Sequence, residues 1–178
     1  MNPLLEKFST KYTSSPFSDI KEEHYLPAFQ ELIKISETEI DAITNNPEAP
    51  TFANTIEAMA FSGEQLDRVS SIFFNINSAE TNDEIQKIAQ DVSPPLTEFS
   101  SKISQNEKLF ERIKNVYNQK DNLSLTDEQK MLLNETYKGF VRSGALLNEE
   151  DKKKLEKISM DLSIKSLQFG QNALASTN

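Results

Sequence analysis

The sequence predicts an all-α protein of about six helices. Apolar residues recur at spacings of three and four over most of the chain, which is the period of an amphipathic helix. Glycine is scarce, with four residues in 178, and β-branched runs are short, so a sheet with many turns is disfavoured. Hydrophobic residues make up 37% of the chain and charged residues 26%, which is enough apolar material for a core. We therefore expect residues 1–178 to form one helical domain.

Residues 1–20 have no helical period. Pro3, Pro16 and a Ser/Thr-rich stretch interrupt them, so we expect an irregular arm that lies over other residues. The helical region begins at residue 21. Its first helix ends at Asn45-Asn46-Pro47, a stop signal. The apolar face of this helix consists of Tyr25, Phe29, Leu32, Ile33, Ile40 and Ile43.

The second helix is predicted from the stretch PTFANTIEAMAFSGEQLDRV, residues 50–69. Thr51 and Asn54 both qualify as N-caps, and Asn54 has Glu57 three residues later, the spacing of a capping box. Gly63 lies on the apolar stripe of this helix. Two interpretations of it stay open: a tolerated helix glycine, or a site where another helix approaches closely. The stripe consists of Ile56, Met59, Leu66, Val69, Phe73 and Ile76.

The third helix opens with a second predicted capping box, Thr81-Asn82-Asp83-Glu84. Pro94-Pro95 interrupts its apolar stripe, but the period continues across the two prolines. Two adjacent prolines remove two backbone donors. We therefore expect either one helix kinked at Pro94-Pro95 or two short helices that meet there.

Three more helices complete the prediction. A short one covers 107–117, and another begins at the Thr126/Gln129 capping box and ends with Gly144 as its C′ residue. The last helix opens near Asn148 and runs toward Leu174.

The last helix carries two apolar stripes. We call the first stripe Leu155, Ile158, Leu162 and Phe169, and the second stripe Met160, Ile164, Leu167 and Leu174. One stripe can face the core, but a second one left in water would be an exposed apolar band, which soluble monomers avoid. We expect the domain to wrap both stripes, or the second stripe to meet something outside this chain.

Composition excludes several classes of function. The formal net charge is −9, so an acidic surface repels nucleic-acid backbones. The basic block Lys152-Lys153-Lys154 has acidic neighbours and is predicted to be a solvated helix face with i,i+4 pairs. There is no Cys, which rules out disulfides and thiolate chemistry within this sequence. No signal-peptide pattern or membrane-spanning stretch is present, so we expect a cytoplasmic protein.

The sequence offers no catalytic constellation. A zinc site of the H-E-x-x-H type needs two imidazoles one helical turn apart, whereas His24 is the only histidine. A serine or cysteine nucleophile system is also poorly supported, with one His and no Cys. The adjacent carboxylates of Glu22/Glu23 and Glu149/Glu150 do not face each other on a helix. We predict no catalytic, cofactor-binding or metal-binding residue in this chain.

An ordered series of short motifs carries a resemblance. It begins with Asn2-Pro3-Leu4-Leu5 and covers nearly the whole chain. Its further members are Pro16-Phe17, Ile20, His24, Pro27-Ala28, Pro50-Thr51-Phe52-x-Asn54-Thr55, Gly63, Leu66, Arg68, Phe73-Phe74-Asn75, Ser78-Ala79-x-Thr81-Asn82-Asp83-Glu84, Leu109-Phe110-x-Arg112, Phe140-Val141-Arg142-Ser143-Gly144-Ala145, Leu155, Ile158, Leu162, Phe169 and Asn172. Together they resemble the amino-terminal region of the thimet oligopeptidase and neurolysin family of zinc metallopeptidases. The S-A-x-T-N-D-E and F-V-R-S-G-A runs resemble the bacterial peptidyl-dipeptidase branch in particular, with oligopeptidase A as near kin. Ala53 departs from the pattern, since the family usually has Glu there.

The resemblance implies a fold and a function. Such enzymes are mostly helical, with two lobes that flank a deep channel, and this channel admits short peptides. The resemblance places the zinc on a H-E-x-x-H helix and a downstream Glu, later in the chain than residue 178. This chain would then be an amino-terminal channel-wall domain, non-catalytic by itself, of a zinc-dependent oligopeptidase or peptidyl-dipeptidase. Its expected partner is the missing carboxy-terminal catalytic region, on which the second stripe would pack, and the parent's substrates would be short peptides.

Two alternatives stay open. The chain could be a free-standing acidic helical interaction module that dimerises through its last helix. It could also be a metal-free hydrolase built on carboxylates, such as a glycosidase, whose carboxyl pair would lie ~5–9.5 Å apart across a cleft.

Overall fold

The computed structural model describes residues 2–177. Met1 and Asn178, the two ends of the predicted domain 1–178, lie outside the described residues. The structure is 76% helical and contains no strand in the part of the chain that it describes. The all-α prediction is confirmed. Six long helices and one short helix are α1 (Glu22–Thr44), α2 (Ala58–Phe61), α3 (Glu64–Ala79), α4 (Asp83–Ser104), α5 (Glu107–Asn118), α6 (Asp127–Arg142) and α7 (Glu149–Thr177).

The chain divides into two compact units. Unit 1 comprises the described parts of residues 1–36, 63–97 and 160–178, and unit 2 comprises residues 37–62 and 98–159. The long helices α1, α4 and α7 each supply residues to both units.

Unit 1 has an aromatic core. Phe29 of α1 and Phe73 of α3 are fully buried, and their rings meet edge to face with centroids 5.5 Å apart. Tyr25 packs on Phe73 in the same way at 4.9 Å. Edge-to-face contacts place the positive ring edge against the negative face of the neighbour, and they add to the free energy gained from burial. Three- and four-residue spacings on α1 and α3 put these rings on facing stripes.

Residues 2–20 contain one short 3₁₀ turn, Lys11–Thr13, and are held to unit 1 at two points. The side-chain amide of Asn2 donates to the carbonyl of His24 at 2.8 Å. Arg68 Nη2 donates to the carbonyls of Leu4 (3.3 Å) and Glu6 (3.2 Å), and its guanidinium lies 4.2 Å from the centre of the Phe8 ring. The side chain of Leu4 is completely buried, so this segment is part of the packed unit.

Unit 2 is built around α5 and α6. Leu109, Ile113 and Val116 of α5 and Leu133 of α6 are buried in its core. Tyr117 and Tyr137 stack with ring centroids 3.9 Å apart. Arg112 is also buried, and its guanidinium donates to the carbonyls of Asn46 (2.8 Å) and Glu48 (3.1 Å). Charge-assisted bonds of this kind tie the loop after α1 to α5.

The predicted second helix is wrong in one respect: it is broken at Gly63. Residues Phe52–Glu57 form a π-helix, α2 follows, and the backbone of Ser62 is extended before α3 begins. Gly63 has φ +75°, and a Cβ built there would lie 3.7 Å from Ser36 Oγ, an ordinary contact distance. Both interpretations of Gly63 are therefore incorrect. A left-handed backbone requires glycine here, while close packing does not.

The capping predictions met different outcomes. The Thr126/Gln129 box is confirmed, with both reciprocal bonds present. The proposed Asn54/Glu57 box is wrong, because Thr51 is the N-cap and Asn54 is its box partner. The predicted Thr81–Glu84 box is wrong in its cap, because at α4 the side chain of Asn82, not Thr81, accepts a backbone N–H, that of Ile85, at 2.9 Å.

Gly144 ends α6 as predicted. Its φ is +93°, its N–H donates to the Val141 carbonyl, and the N–H of Ala145 donates to the Phe140 carbonyl. These two bonds are those of the Schellman motif. A Cβ at Gly144 would lie 2.6 Å from Cδ2 of Leu155, so a side chain there would displace the end of Leu155, but the left-handed φ is what requires glycine.

The two prolines lie inside one continuous helix, α4, and the structure contains one helix bent by 28°. The fold prediction of about six helices with a kink is confirmed. Ser93 Oγ donates to the Ala89 carbonyl at 2.6 Å, and Thr97 Oγ1 donates to the Ser93 carbonyl at 2.8 Å. Hydroxyl bonds of this type accompany helix bending, and they supply donors where the prolines supply none.

Candidate docking surface on the last helix

Helix α7 begins at a cap. Asn148 Oδ1 accepts from the N–H of Asp151 at 2.9 Å, and Asn148 Nδ2 donates to the Asp151 carboxylate at the same distance. The predicted start near Asn148 agrees with this geometry. Three acidic residues occupy the first turn, where negative charge is favourable to the helix dipole.

In unit 2, α7 is attached through Lys152. Its side chain is 4% exposed, and its ammonium donates to Glu107 (2.7 Å) and to Glu149 (3.0 Å). The hydrogen bond from Lys152 lowers the pKa of the Glu107 carboxyl, and the hydrogen bond to Glu107 raises the pKa of the Lys152 ammonium. The predicted solvated face is therefore wrong for Lys152. It holds for Lys154, an exposed residue paired with Glu150 at i,i+4.

In unit 1, the inner face of α7 is attached to α4 by polar side chains. Thr97 Oγ1 donates to Ser163 Oγ at 3.0 Å, and Gln90 Nε2 donates to Gln171 Oε1 at 2.9 Å. Gln171 Nε2 in turn donates to the carbonyl of Gln86 at 3.3 Å. Leu167 is half-buried on the same face. Hydrogen bonds of this kind each contribute modestly to stability.

Neither predicted stripe is wholly covered in the structure. The second stripe was expected to meet an outside partner if the domain did not wrap it; Met160 and Leu167 are half-buried, whereas Ile164 and Leu174 are 39% and 38% exposed. In the first stripe Leu155 is half-buried, whereas Ile158, Leu162 and Phe169 are 61%, 63% and 76% exposed. The sequence shows both periods but not which one meets the rest of the domain, because that depends on the rotation of α7 about its axis.

Unit 1 also contains an open groove of about 850 Å³ between the starts of α1 and α4 and the end of α3. Glu22, Glu23, Glu80 and Glu84 line it, with Tyr25 at its apolar base. Glu22 accepts from the side-chain amide of Asn82 at 2.7 Å. Burial, together with the charge of Glu22, raises the pKa of Tyr25. Four acidic side chains and Lys21 therefore line the groove, and one of the carboxylates, that of Glu22, is bound to the α4 cap.

His24 has a local structural role. Its Nδ1 accepts from the backbone N–H of Lys21 at 3.0 Å, which satisfies a donor ahead of α1. Within residues 2–177, no group of three or more His, Cys, Asp or Glu side chains is arranged to hold a metal ion. Zinc sites in proteins take three or four such ligands, so the described residues do not fit a zinc centre. No helix in the described part of the chain is long and apolar enough to cross a membrane.

Comparison with known proteins places the fold in a family. Residues 29–152 match the family model described as "Neurolysin/Thimet oligopeptidase, N-terminal domain". The chain belongs to the neurolysin/thimet oligopeptidase family. It corresponds to the N-terminal domain of that family, as the motif series in the sequence indicated.

Curated relatives of this family member are peptidases by name. The dipeptidyl carboxypeptidase of Salmonella typhimurium is 40% identical over 99% of the chain, and that of Escherichia coli is 38% identical over 98%. Oligopeptidase A of Salmonella typhimurium is 26% identical over 99%. The aligned region is 26% of each dipeptidyl carboxypeptidase and 25% of oligopeptidase A. The chain therefore spans about a quarter of the length of the relatives it matches.

Proposed function

We propose that this domain is the non-catalytic, amino-terminal channel-wall part of a peptidase that hydrolyses short peptides. The observation that carries the proposal is the 40% identity to a dipeptidyl carboxypeptidase over 99% of the chain. A zinc ion, expected from the resemblance, would be held entirely by residues outside 2–177. The zinc would supply an activated water for peptide hydrolysis.

The use of polar side chains within the domain supports a scaffold role. Four polar side chains bond to other parts of the domain. They are Arg112, Arg68, His24 and Lys152. The Nη donors of Arg68 and Arg112 bond to other parts of the domain, while the buried Nε of each has no hydrogen-bond partner. A domain built in this way can give a channel its shape while the reacting groups are supplied from elsewhere.

Two forms of the protein test the proposal: the 178-residue chain and the longer polypeptide that extends it to the length of the relatives. Each is washed with a chelator, resupplied with zinc, and incubated with unstructured peptides about ten residues long. Mass spectrometry reads the products. We expect the longer form to release fragments and the 178-residue chain to release none.

Two results would contradict the proposal. A longer form that leaves every peptide intact would remove the peptidase assignment. A 178-residue chain that retains stoichiometric zinc and cleaves peptides would remove the non-catalytic assignment. A folded protein given as substrate is the control, because a narrow channel admits only flexible peptides. The cytoplasmic location stays a prediction, which cell fractionation tests.

A further inference from the structure

We propose that the outer face of α7 in unit 1, formed by Leu162 and Phe169, is a docking surface for the carboxy-terminal catalytic region of the same polypeptide. This inference rests on the proposed function, since it names the partner of the domain. We call these two residues the outer patch.

The outer patch and the attached face lie on different sides of one helix. At about 100° per residue, Leu162 and Phe169 are separated by two turns and point the same way. Ser163 and Gln171, which bond to α4, lie about 100° and about 180° around the helix from Leu162. The rotation of α7 is set by the hydrogen bonds of Ser163 and Gln171 to α4. These bonds leave Leu162 63% and Phe169 76% exposed.

The size of the outer patch indicates what kind of partner covers it. An aromatic side chain buries roughly 150–250 Å² and a leucine buries less, so Phe169 and Leu162 together offer at most on the order of 300 Å². A stable interface between separate molecules needs about 800 Å² on each partner. The outer patch is too small to hold a second copy or an independent protein by itself. A partner on the same polypeptide has an effective concentration in about the millimolar range, so a small apolar contact is enough.

The residues between the two apolar side chains also disfavour a second copy. Lys165 lies between Leu162 and Phe169 at three- and four-residue spacing, and Asn172 follows Phe169 by three. In a symmetric helix pair these positions form the seam, so Lys165 would enter an apolar contact in both copies. A different partner can place an acceptor against the ammonium. We infer an apolar surface with a carboxylate or carbonyl opposite Lys165.

The remaining length of the relatives supplies the candidate for this surface. The family model describes the matched region as an N-terminal domain, and the aligned region is 26% of the dipeptidyl carboxypeptidases. About three quarters of such a polypeptide therefore follows or flanks the aligned region, and α7 is the last helix that the structure describes.

Cysteine labelling tests the proposal directly, because the 178 residues contain no natural Cys. Single Leu162→Cys and Phe169→Cys variants are made in the 178-residue chain and in the longer polypeptide, and the rate of maleimide labelling is measured at each site. Met131→Cys on α6 is the matched control, since Met131 is 61% exposed. Any thiol native to the additional region is replaced beforehand.

We expect both outer-patch thiols to react about as fast as the control in the 178-residue chain. In the longer polypeptide they should react at least about tenfold more slowly, since a covered thiol reacts only after local opening. The control should be unchanged. Unchanged outer-patch rates in the longer form would overturn the inference, and so would equal slowing at all three sites. If the outer-patch thiols of the 178-residue chain are labelled more slowly as the protein concentration rises, the outer patch binds a second copy instead.

The outcome separates this inference from the proposed function. A longer polypeptide that cleaves peptides but leaves the outer-patch thiols reactive contradicts the docking surface alone. One that protects the thiols but cleaves nothing contradicts the peptidase assignment and leaves the contact standing as a domain interface.

Discussion

Gly63 is the residue at which one predicted helix becomes two. A left-handed backbone costs an L-residue with a side chain about 1–2 kcal/mol, and the φ of Gly63 is +75°. We expect Gly63→Ala to lower the free energy of unfolding by about 1 kcal/mol, measured by urea denaturation. Steric clash is a minor factor, because the added methyl would meet only Ser36 Oγ at 3.7 Å.

Gly139 gives the matched control for that measurement. It lies inside α6, and a Cβ added there meets nothing within 4 Å. Gly139→Ala should raise the free energy of unfolding by roughly 0.5–1 kcal/mol, since alanine is the better helix former. Equal effects of the two substitutions would show that backbone conformation is not the cause.

Lys152 is a buried ammonium with two carboxylate partners, so either partner can satisfy it alone. Glu107→Gln and Glu149→Gln should each lower the free energy of unfolding only slightly, because the second carboxylate remains. The double variant should lower it by more than the sum of the two single variants, since the ammonium then has no carboxylate partner. A double-mutant cycle by urea denaturation measures how far the loss in the double variant exceeds the sum of the two single losses. Additive losses would contradict the shared role of the two carboxylates.

The same ion pair predicts a pH dependence. The hydrogen bond from Lys152 lowers the pKa of the Glu107 carboxyl. The contribution of Glu107 to stability is therefore present above the ordinary pKa of 4.5. It is lost as the pH falls through the lower pKa of the folded state. The raised pKa of Lys152 affects stability at alkaline pH: its contribution is present below 10.5 and is lost as the pH rises through the higher pKa of the folded state. Urea denaturation between pH 6 and pH 3 should show that the free energy of unfolding falls less in Glu107→Gln than in the wild type. An identical fall in the two proteins would contradict this.

At the scale of elements, two neighbouring residues, Thr81 and Asn82, can be compared as the N-cap of α4. Asn82 accepts from the N–H of Ile85 and also binds Glu22, whereas the hydroxyl of Thr81 makes only long bonds at 3.3–3.5 Å. We expect Asn82→Ala to cost about 1 kcal/mol, the usual effect of losing a cap. Thr81→Ala should change the unfolding free energy by a few tenths. The reverse order in thermal or urea unfolding would show that Thr81 is the cap.

Helix ends were predicted well where local chemistry decides them. The stop at Asn45-Asn46-Pro47, the Thr126/Gln129 box and Gly144 each depend on residues within one turn. The Thr51/Asn54 box was missed because both residues are acceptable caps by type. Asn54 Oδ1 also accepts from the guanidinium of Arg112, 58 residues away, at 3.1 Å. A partner so distant in sequence has no local signal.

At the scale of the whole molecule, the outer patch predicts the behaviour of the 178-residue chain. Light scattering should show a monomer, because about 300 Å² is far below what a dimer requires, and Leu162→Glu should leave the mass unchanged. A stable dimer that Leu162→Glu abolishes would favour the alternative of a free-standing, dimeric module. Met131→Glu, at a site of similar exposure, is the control for a general effect of added charge.

The sequence by itself determined the all-α class, the number of long helices, most of their ends and the family, because period, caps and ordered motifs are local properties of the chain. It also showed that the last helix has two apolar stripes. Only the tertiary structure decided which members of the two stripes are most exposed, that Gly63 breaks a helix and that Lys152 is buried. Those outcomes depend on contacts between residues far apart in sequence, such as Ser163 with Thr97 and Lys152 with Glu107, and packing selects among such contacts only after the helices have formed.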